Sequence, residues 1–136
     1  MSKPRKHRIL VVDDELTVCK SIRQVLVGND CDVDMAQSGE EALSKEAEQP
    51  YDVLIVDLMM PGLSGMDLLR MLKARNPKAR IIMVTGYPTM RNTLQAMQLG
   101  AMDFLPKPFL PTTLRSLVAA ALAAGDDEAE GSGGAV

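Results

Sequence analysis

The chain has 136 residues, of which 46% are hydrophobic, and it carries a formal net charge of -3 at neutral pH. This length suffices for one domain with a buried core but is too short for two ordinary domains. No apolar run approaches the roughly 18 residues that cross a bilayer, and the polar, basic start does not lead into a secretory core, so we expect a cytoplasmic protein without a membrane span. Two cysteines without CxxC spacing, Cys19 and Cys31, predict reduced, buried thiols rather than a metal site.

Each end of the chain carries a cluster of charges of one sign, basic among the first eight positions and acidic at 126–130. A solvated basic tail explains the first cluster without direct nucleic-acid binding, because no folded basic face accompanies it. The acidic segment passes into a Gly/Ser-rich end that has little apolar surface to bury. We therefore predict a basic N-terminal extension at 1–7, one domain at 8–124 and a flexible tail or linker at 125–136.

Strands are predicted, in chain order, at 9–12, 31–35, 53–56, 81–84 and 101–105. The first, third and fourth are continuous, β-branched aliphatic runs, which are typical of central strands covered on both faces. The second and fifth carry acids among apolar residues, which indicates edge strands with one wetter face. Apolar residues with helical spacing lie between the strands, and Pro111 suits the first turn of the last helix.

This alternation of strands and helices predicts the fold. Short connections favour a parallel sheet between two layers of helices, because right-handed crossovers place helices over both faces. Three central strands and two edges fit a flavodoxin-like (βα)5 three-layer sandwich, an α/β fold whose five-stranded parallel sheet has the order 2-1-3-4-5. Ligands bind such sheets beyond the carboxyl ends of the strands where the winding direction reverses, here between the first and third strands.

Three acids fall at this reversal point. Asp13 and Asp14 directly follow the first strand, and Asp57 follows the third. Carboxylates at a separation of about 5 Å and an effective dielectric constant of about 20 repel each other by about 3 kcal/mol per pair. A hard divalent cation would offset this repulsion, and Mg²⁺ is favoured because it needs few protein ligands. The alternative is that Asp14 caps the first helix while Asp13 and Asp57 are solvated.

Two further polar residues reach the same edge of the predicted sheet, since Thr85 and Lys107 follow the fourth and fifth strands. A hydroxyl and an ammonium group that face carboxylates can contact phosphoryl oxygens. A carboxylate such as Asp57 can attack phosphorus and form an aspartyl phosphate. Each residue alone says little, but together they predict a site of phosphoryl transfer.

Four motifs in this order resemble the receiver domains of response regulators in two-component systems: VVDDE at 11–15, DLMMPGLSG at 57–65, VTG at 84–86 and GAMDFLPKPF at 100–109. The resemblance covers about 8–122 and implies a bacterial signalling phosphoacceptor, which is not an enzyme beyond its own phosphorylation and dephosphorylation. Asp57 matches the phosphoacceptor of the family, and Asp13 and Asp14 match the metal-binding acids. The backbone carbonyl of Met59 matches the third protein ligand to Mg²⁺.

The resemblance also implies a switch. Lys107 matches the lysine that contacts the phosphoryl group, and the Lys107–Pro108 bond matches a cis peptide of the family. Thr85 matches the hydroxyl that moves toward the phosphoryl group, and Phe104 matches the aromatic residue that turns inward when the hydroxyl moves. The alternative for Phe104 is a permanently buried core residue.

The implied partner is a histidine kinase or a histidine phosphotransfer protein. The output face of the family is formed by the fourth helix, fifth strand and fifth helix, and Met90 and Met97 could contribute to it. An output domain or protein, or a second copy in a homodimer, could bind there. Met59 and Tyr87, two positions beyond Asp57 and Thr85, are poor activators of water, so we predict slow spontaneous loss of the phosphoryl group.

Other classes of function stay open at this point. A flavodoxin-like enzyme or cofactor-binding module would use the same fold, although 3% aromatic content and acids after the first strand argue against a flavin. A haloacid-type phosphatase would need a second aspartate where Met59 stands. A receiver that has lost signalling and serves only for docking is a third alternative, against which Asp57 and Lys107 count.

Overall fold

The computed structural model describes the backbone at 6–28 and 30–134 and the side chains of these residues through Gly125. The strands are β1 (His7–Val12), β2 (Cys31–Ala36), β3 (Val53–Asp57), β4 (Arg80–Thr85) and β5 (Asp103–Pro106). The helices are α1 (Leu16–Leu26), α2 (Gly39–Glu48), α3 (Gly65–Arg75), α4 (Met90–Gln98) and α5 (Pro111–Gly134). Each predicted strand is therefore present within a few residues of its expected position.

The five strands form one parallel sheet with the order β2-β1-β3-β4-β5. This order confirms the predicted flavodoxin-like (βα)5 sandwich and places β2 and β5 at the edges, as expected from their acids. Asp32 and Asp34 are exposed on β2, and β5 is short and ends at Pro106. The sheet reverses its winding direction between β1 and β3, which are direct neighbours with Val12 opposite Val56.

Alternating residues of the central strands pack into two separate cores, one on each face of the sheet. Leu10, Leu54 and Ile81 face one core, which they share with residues of α2, α3 and α4. Ile9 and Ile55 face the other, which they share with α1 and α5. Because both faces of each central strand are buried, the strands have no polar face, which explains their continuous aliphatic runs. This packing holds the carboxyl ends of β1, β3 and β4 in one rigid row.

The helices that follow the strand ends begin at defined capping residues. Ser64 accepts a hydrogen bond from the backbone N–H of Asp67 at 3.2 Å, at the start of α3. Thr89 accepts one from the backbone N–H of Asn92 at 3.0 Å, at the start of α4. Each cap satisfies a backbone donor that the first helical turn leaves unpaired. The caps therefore fix the ends of the loops that leave β3 and β4.

The C-terminal segment differs from the sequence prediction. We expected a flexible tail or linker from 125, whereas the helix α5 continues past Gly125 to Gly134. Ala129 and the two glutamates at 128 and 130 favour a helix whereas the glycines of this segment disfavour it, but extending a helix that already exists costs far less than nucleating one. The sequence therefore permits helix beyond the part of α5 that contacts the sheet. The division of the chain into extension, domain and linker stays a prediction.

At the other end of the chain, β1 begins at His7, the last residue of the predicted N-terminal extension. The remainder of the predicted extension at 1–5, and residues 135–136 of the predicted tail, lie outside the described residues. Within the described ranges, no helix combines the length and the apolar character that a membrane crossing requires.

Candidate functional site

Three carboxylates meet at the reversal point of the sheet. Asp13 directly follows β1 and is only 2% exposed, while Asp57 is the last residue of β3 and is 7% exposed. Asp14 is exposed at the rim beside them. One oxygen from each of the three carboxylates lies within 4.8 Å of the others. The structure thus brings together the acids that the sequence placed on neighbouring strand ends.

Asp13 is held at several of its polar atoms. Its backbone N–H donates to the Ala36 carbonyl at 3.0 Å, which ties the end of β1 to the end of β2. One carboxylate oxygen accepts from the backbone N–H of Glu15 at 2.9 Å, and the other accepts from the Lys107 ammonium group at 3.0 Å. Its carbonyl oxygen lies 3.4 Å from the thiol sulfur of Cys19. These contacts give the Asp13 side chain a fixed orientation.

The negative charge of Asp57 is less well compensated than that of Asp13, because the Lys107 ammonium group lies closer to Asp13. Its Oδ1 accepts from the backbone N–H of Met59 at 3.3 Å and lies 3.9 Å from the Nζ of Lys107. Burial, reinforced by the negative charge of Asp13, raises the pKa of the Asp57 carboxyl from 3.8 to about 6, although Lys107 and the Met59 N–H oppose this shift. The pocket is therefore short of positive charge, and its hard oxygen ligands suit a divalent cation such as Mg²⁺.

Thr85 and Lys107 reach the same pocket from the carboxyl ends of β4 and β5. The backbone N–H of Lys107 donates to the Thr85 carbonyl at 2.7 Å, and the Lys107–Pro108 peptide bond is cis, as the resemblance implied. Thr85 is completely buried at the end of β4, and its hydroxyl oxygen accepts from the backbone N–H of Tyr87 at 3.1 Å. The Thr85 hydroxyl therefore retains its own proton for donation to another acceptor.

The remaining predicted residues surround this pocket. Phe104 on β5 is half-buried and packs against the core beneath α4. The backbone N–H groups of Met59 and Tyr87 donate to Asp57 and Thr85, and the two residues are 56% and 73% exposed. Met90 and Met97 are exposed on α4, away from the core.

Two residues that contact the site had no assigned role in the sequence analysis. Gly65 begins α3, and a Cβ at this position would stand 2.1 Å from the backbone oxygen of Asp57 and 2.7 Å from the Cα of Leu58. The second is Cys19 on α1, which the sequence marked only as a buried thiol. Burial, followed by the charge of Asp13, raises the pKa of this thiol to about 11, so it stays protonated and can donate to the Asp13 carbonyl. Neither contact has a sequence signal, because both depend on how closely a helix approaches a strand end.

A family model for the response regulator receiver domain matches residues 9–119 of the chain. The response regulator protein PilR of Pseudomonas aeruginosa is 34% identical over 125 residues, which are 92% of this chain and 28% of PilR. The transcriptional regulatory protein ResD of Bacillus subtilis is 35% identical over 111 residues, which are 82% of this chain and 46% of ResD. The chain thus spans between about a quarter and a half of the length of these relatives.

Solved structures give the same assignment. A response regulator receiver domain protein from Clostridium thermocellum superposes with a TM-score of 0.83 at 35% identity, covering 88% of this chain and 97% of that one. NtrX from Brucella abortus, solved in complex with ADP, gives a TM-score of 0.85 at 26% identity, covering 93% of this chain and 28% of that one.

Proposed function

The chain belongs to the response regulator receiver domain family of two-component systems, and on that premise we propose that Asp57 accepts a phosphoryl group in a Mg²⁺-dependent reaction. The donor is the phosphohistidine of a histidine kinase or of a histidine phosphotransfer protein. The observation that carries the proposal is the buried, poorly compensated carboxylate of Asp57 beside Asp13, Asp14 and Lys107.

In the proposed transfer, Asp57 is the nucleophile. One of its carboxylate oxygens forms the new bond to phosphorus while the bond from phosphorus to the donor's histidine nitrogen breaks, and the electron pair of that bond stays on the imidazole. Even without a bound cation, the pKa of about 6 leaves the Asp57 carboxyl mostly ionised at neutral pH, as a nucleophile requires. The end of β3 limits the motion of the attacking oxygen.

Asp13, Asp14 and Asp57 are the side chains that would hold Mg²⁺, together with the backbone carbonyl of Met59 that the family resemblance implies. Their fit to the ion follows from the oxygen ligands and from the deficit of positive charge around Asp57. When bound, Mg²⁺ supplies positive charge that offsets the repulsion between these carboxylates and the incoming phosphoryl oxygens. Lys107 would add a second positive charge, since its Nζ already lies between Asp13 and Asp57.

The proposed switch couples this charge change to packing. Phosphorylation adds about 1.5 to 2 negative charges and strong acceptor oxygens at Asp57. The Thr85 hydroxyl would move away from the Tyr87 N–H, from which its oxygen accepts, and would donate its own proton to a phosphoryl oxygen. The space that Thr85 leaves would then admit the ring of Phe104, which already packs against the adjacent core. The rearrangement would alter the α4-β5-α5 face, to which Met90 and Met97 contribute exposed apolar surface.

The α4-β5-α5 face would carry the output of the protein. Its proposed partners are an output domain or protein, or a second copy of the chain in a homodimer. The relatives are longer than this chain, which supports an output domain as one partner. We place the protein in the cytoplasm, as the sequence predicted, and we assign no direct nucleic-acid binding to this domain.

The proposal is tested by intact mass after incubation with acetyl phosphate, a small-molecule phosphoryl donor. With Mg²⁺, the wild-type protein should gain the mass of one phosphoryl group, and hydroxylamine should remove it because the adduct is an acyl phosphate. The adduct should be absent with EDTA and in Asp57→Ala. Asp67→Ala, which removes an exposed aspartate from α3, is the matched control and should gain the adduct normally. A wild-type protein that gains no adduct, or Asp57→Ala that gains it equally, would refute the proposal.

The rate at which the adduct is lost gives a further prediction. Neither the thioether of Met59 nor the bulky ring of Tyr87 is a good activator of water, so loss of the phosphoryl group should be slow. Met59→Asn adds an amide that can orient water beside the phosphoryl group and should accelerate loss by about tenfold or more. Met71, on α3, is exposed like Met59, and Met71→Asn should leave the rate of phosphoryl loss unchanged. Rapid loss from the wild type that Met59→Ala slows would contradict this interpretation, as measured by the decay of the adduct mass with time.

A further inference from the structure

The geometry points to Cys19 as a positioning residue that holds the backbone of Asp13 from the interior of the domain and thereby strengthens binding of the divalent cation. This inference rests on the proposed function, because it concerns the same carboxylates. The thiol itself is not a ligand of the metal. Cys19 acts on the site through the Asp13 carbonyl.

The thiol of Cys19 lies at the junction of three elements. Cys19 is completely buried on the first turns of α1 and faces the carboxyl ends of β1 and β2. Its sulfur lies 3.4 Å from the Asp13 carbonyl oxygen, 3.8 Å from that of Ala36 and 4.0 Å from that of Val11. The contact with Asp13 is the shortest of the three. A thiol is a weak donor, and here it points at carbonyl groups that water does not reach.

The position of the Asp13 carbonyl affects the positions of the other groups in the loop after β1. Asp13 is the first residue after β1, so its N–H is still held by the β2 carbonyl of Ala36 whereas its carbonyl belongs to the loop. The Asp13 carboxylate also accepts from the backbone N–H of Glu15, two residues further along the loop. A rotation of the peptide that follows Asp13 would therefore move Asp14 and the Glu15 donor together. By holding this peptide, the thiol fixes two of the three carboxylates relative to Asp57.

A purely steric role makes a different prediction. If position 19 only had to be small enough for α1 to pack on the sheet, alanine would replace cysteine at the site without effect. If the donor matters, serine should preserve the site, because its hydroxyl can donate to the same carbonyl. Cys19→Ala and Cys19→Ser therefore separate the two roles. Ile22→Val is the matched control, since it trims a buried side chain of the same helix one turn further from Asp13.

The experiment measures Mg²⁺ affinity in the absence of any phosphoryl donor. Thermal unfolding is followed by circular dichroism over a series of Mg²⁺ concentrations at constant ionic strength, and Kd is obtained from the dependence of Tm on Mg²⁺. We expect Cys19→Ala to raise Kd about threefold or more, in line with the loss of one weak hydrogen bond. Cys19→Ser should stay within about twofold of the wild type. Ile22→Val should lower Tm in EDTA but leave Kd unchanged.

Two outcomes would overturn the inference while leaving the proposed function intact: a Kd for Cys19→Ala equal to that of the wild type, or equal weakening in Cys19→Ala and Cys19→Ser. If Cys19→Ala folds poorly, Cys19→Ser still decides, because a Kd more than about twofold above that of the wild type would overturn the inference. A wild-type protein that Mg²⁺ does not stabilise would instead refute the proposed metal site, and this inference with it.

Discussion

Asp57→Asn should yield a protein that takes up no phosphoryl group, yet whose free energy of unfolding without metal at pH 8 exceeds that of the wild type by about 2 to 3 kcal/mol. The reason is that burial raises the pKa of Asp57 from 3.8 to about 6 in the folded state. The folded protein then binds this proton more tightly than the unfolded chain does. The associated stability is fully present below pH 3.8 and is lost as the pH rises through about 6. Asparagine has a similar shape and no charge to bury.

The pH and Mg²⁺ dependence make this expectation specific. The difference between Asp57→Asn and the wild type should shrink as the pH falls through about 6 and should be lost below 3.8, where both side chains are neutral. At pH 8 the difference should narrow when Mg²⁺ stabilises the wild type alone. Asp32→Asn, at an exposed aspartate paired with Lys6, should change the free energy of unfolding by less than about 1 kcal/mol. Urea titrations at several pH values measure all of these quantities. Equal stability of Asp57→Asn and wild type at pH 8 would contradict the argument.

Gly65→Ala should lower the free energy of unfolding by about 3 kcal/mol or more. The added Cβ would meet the Asp57 oxygen at 2.1 Å and the Leu58 Cα at 2.7 Å, and both atoms belong to the backbone. A flexible side chain could move aside, but here either α3 or the end of β3 has to shift. Because the clash falls on Asp57, which carries the reacting carboxylate, the variant should also accept the phosphoryl group of acetyl phosphate more slowly than the wild type.

Gly86→Ala provides the matched comparison for this substitution. Gly86 follows Thr85 at the same edge of the sheet, but among the described residues no heavy atom lies within 4 Å of the Cβ that alanine would add. Its free energy of unfolding should stay within about 1 kcal/mol of the wild-type value. If chemical denaturation gives Gly65→Ala and Gly86→Ala similar stabilities, the close approach of α3 to Asp57 is not a tight constraint.

The fold was predictable because its signals are local. The aliphatic runs at 9–12, 53–56 and 81–84 have two buried faces, and this requirement is visible in the sequence of each strand. The convergence of Asp13 and Asp57 followed from the parallel order, since neighbouring parallel strands end at the same edge. The extent of α5 was not predictable in the same way. Its residues beyond 125 tolerate helix without requiring it, so composition alone pointed to a flexible segment.

The unpredicted parts of the site depend on distances between elements. The pattern of α1 marks Cys19 as a buried position, but only the docking of the helix determines that its thiol faces the Asp13 carbonyl. The close contact of Gly65 with Asp57 likewise depends on the angle at which α3 leaves the loop. The sequence placed Lys107 near the acids, but it could not show that the ammonium group lies 3.0 Å from Asp13 and 3.9 Å from Asp57.

The two edges of the sheet also limit how copies of this chain can associate. An exposed strand edge can recruit the same strand of another molecule and start open-ended aggregation. Two β2 edges brought side by side would place Asp32 and Asp34 against the same acids of the second copy, and the partly exposed ion pairs with Lys6 and Arg8 offset this repulsion only weakly. At the opposite edge, β5 offers only four residues and ends at Pro106, which has no amide hydrogen to donate. Both edges therefore disfavour polymerisation of the protein by backbone hydrogen bonds between sheets, even at high concentration.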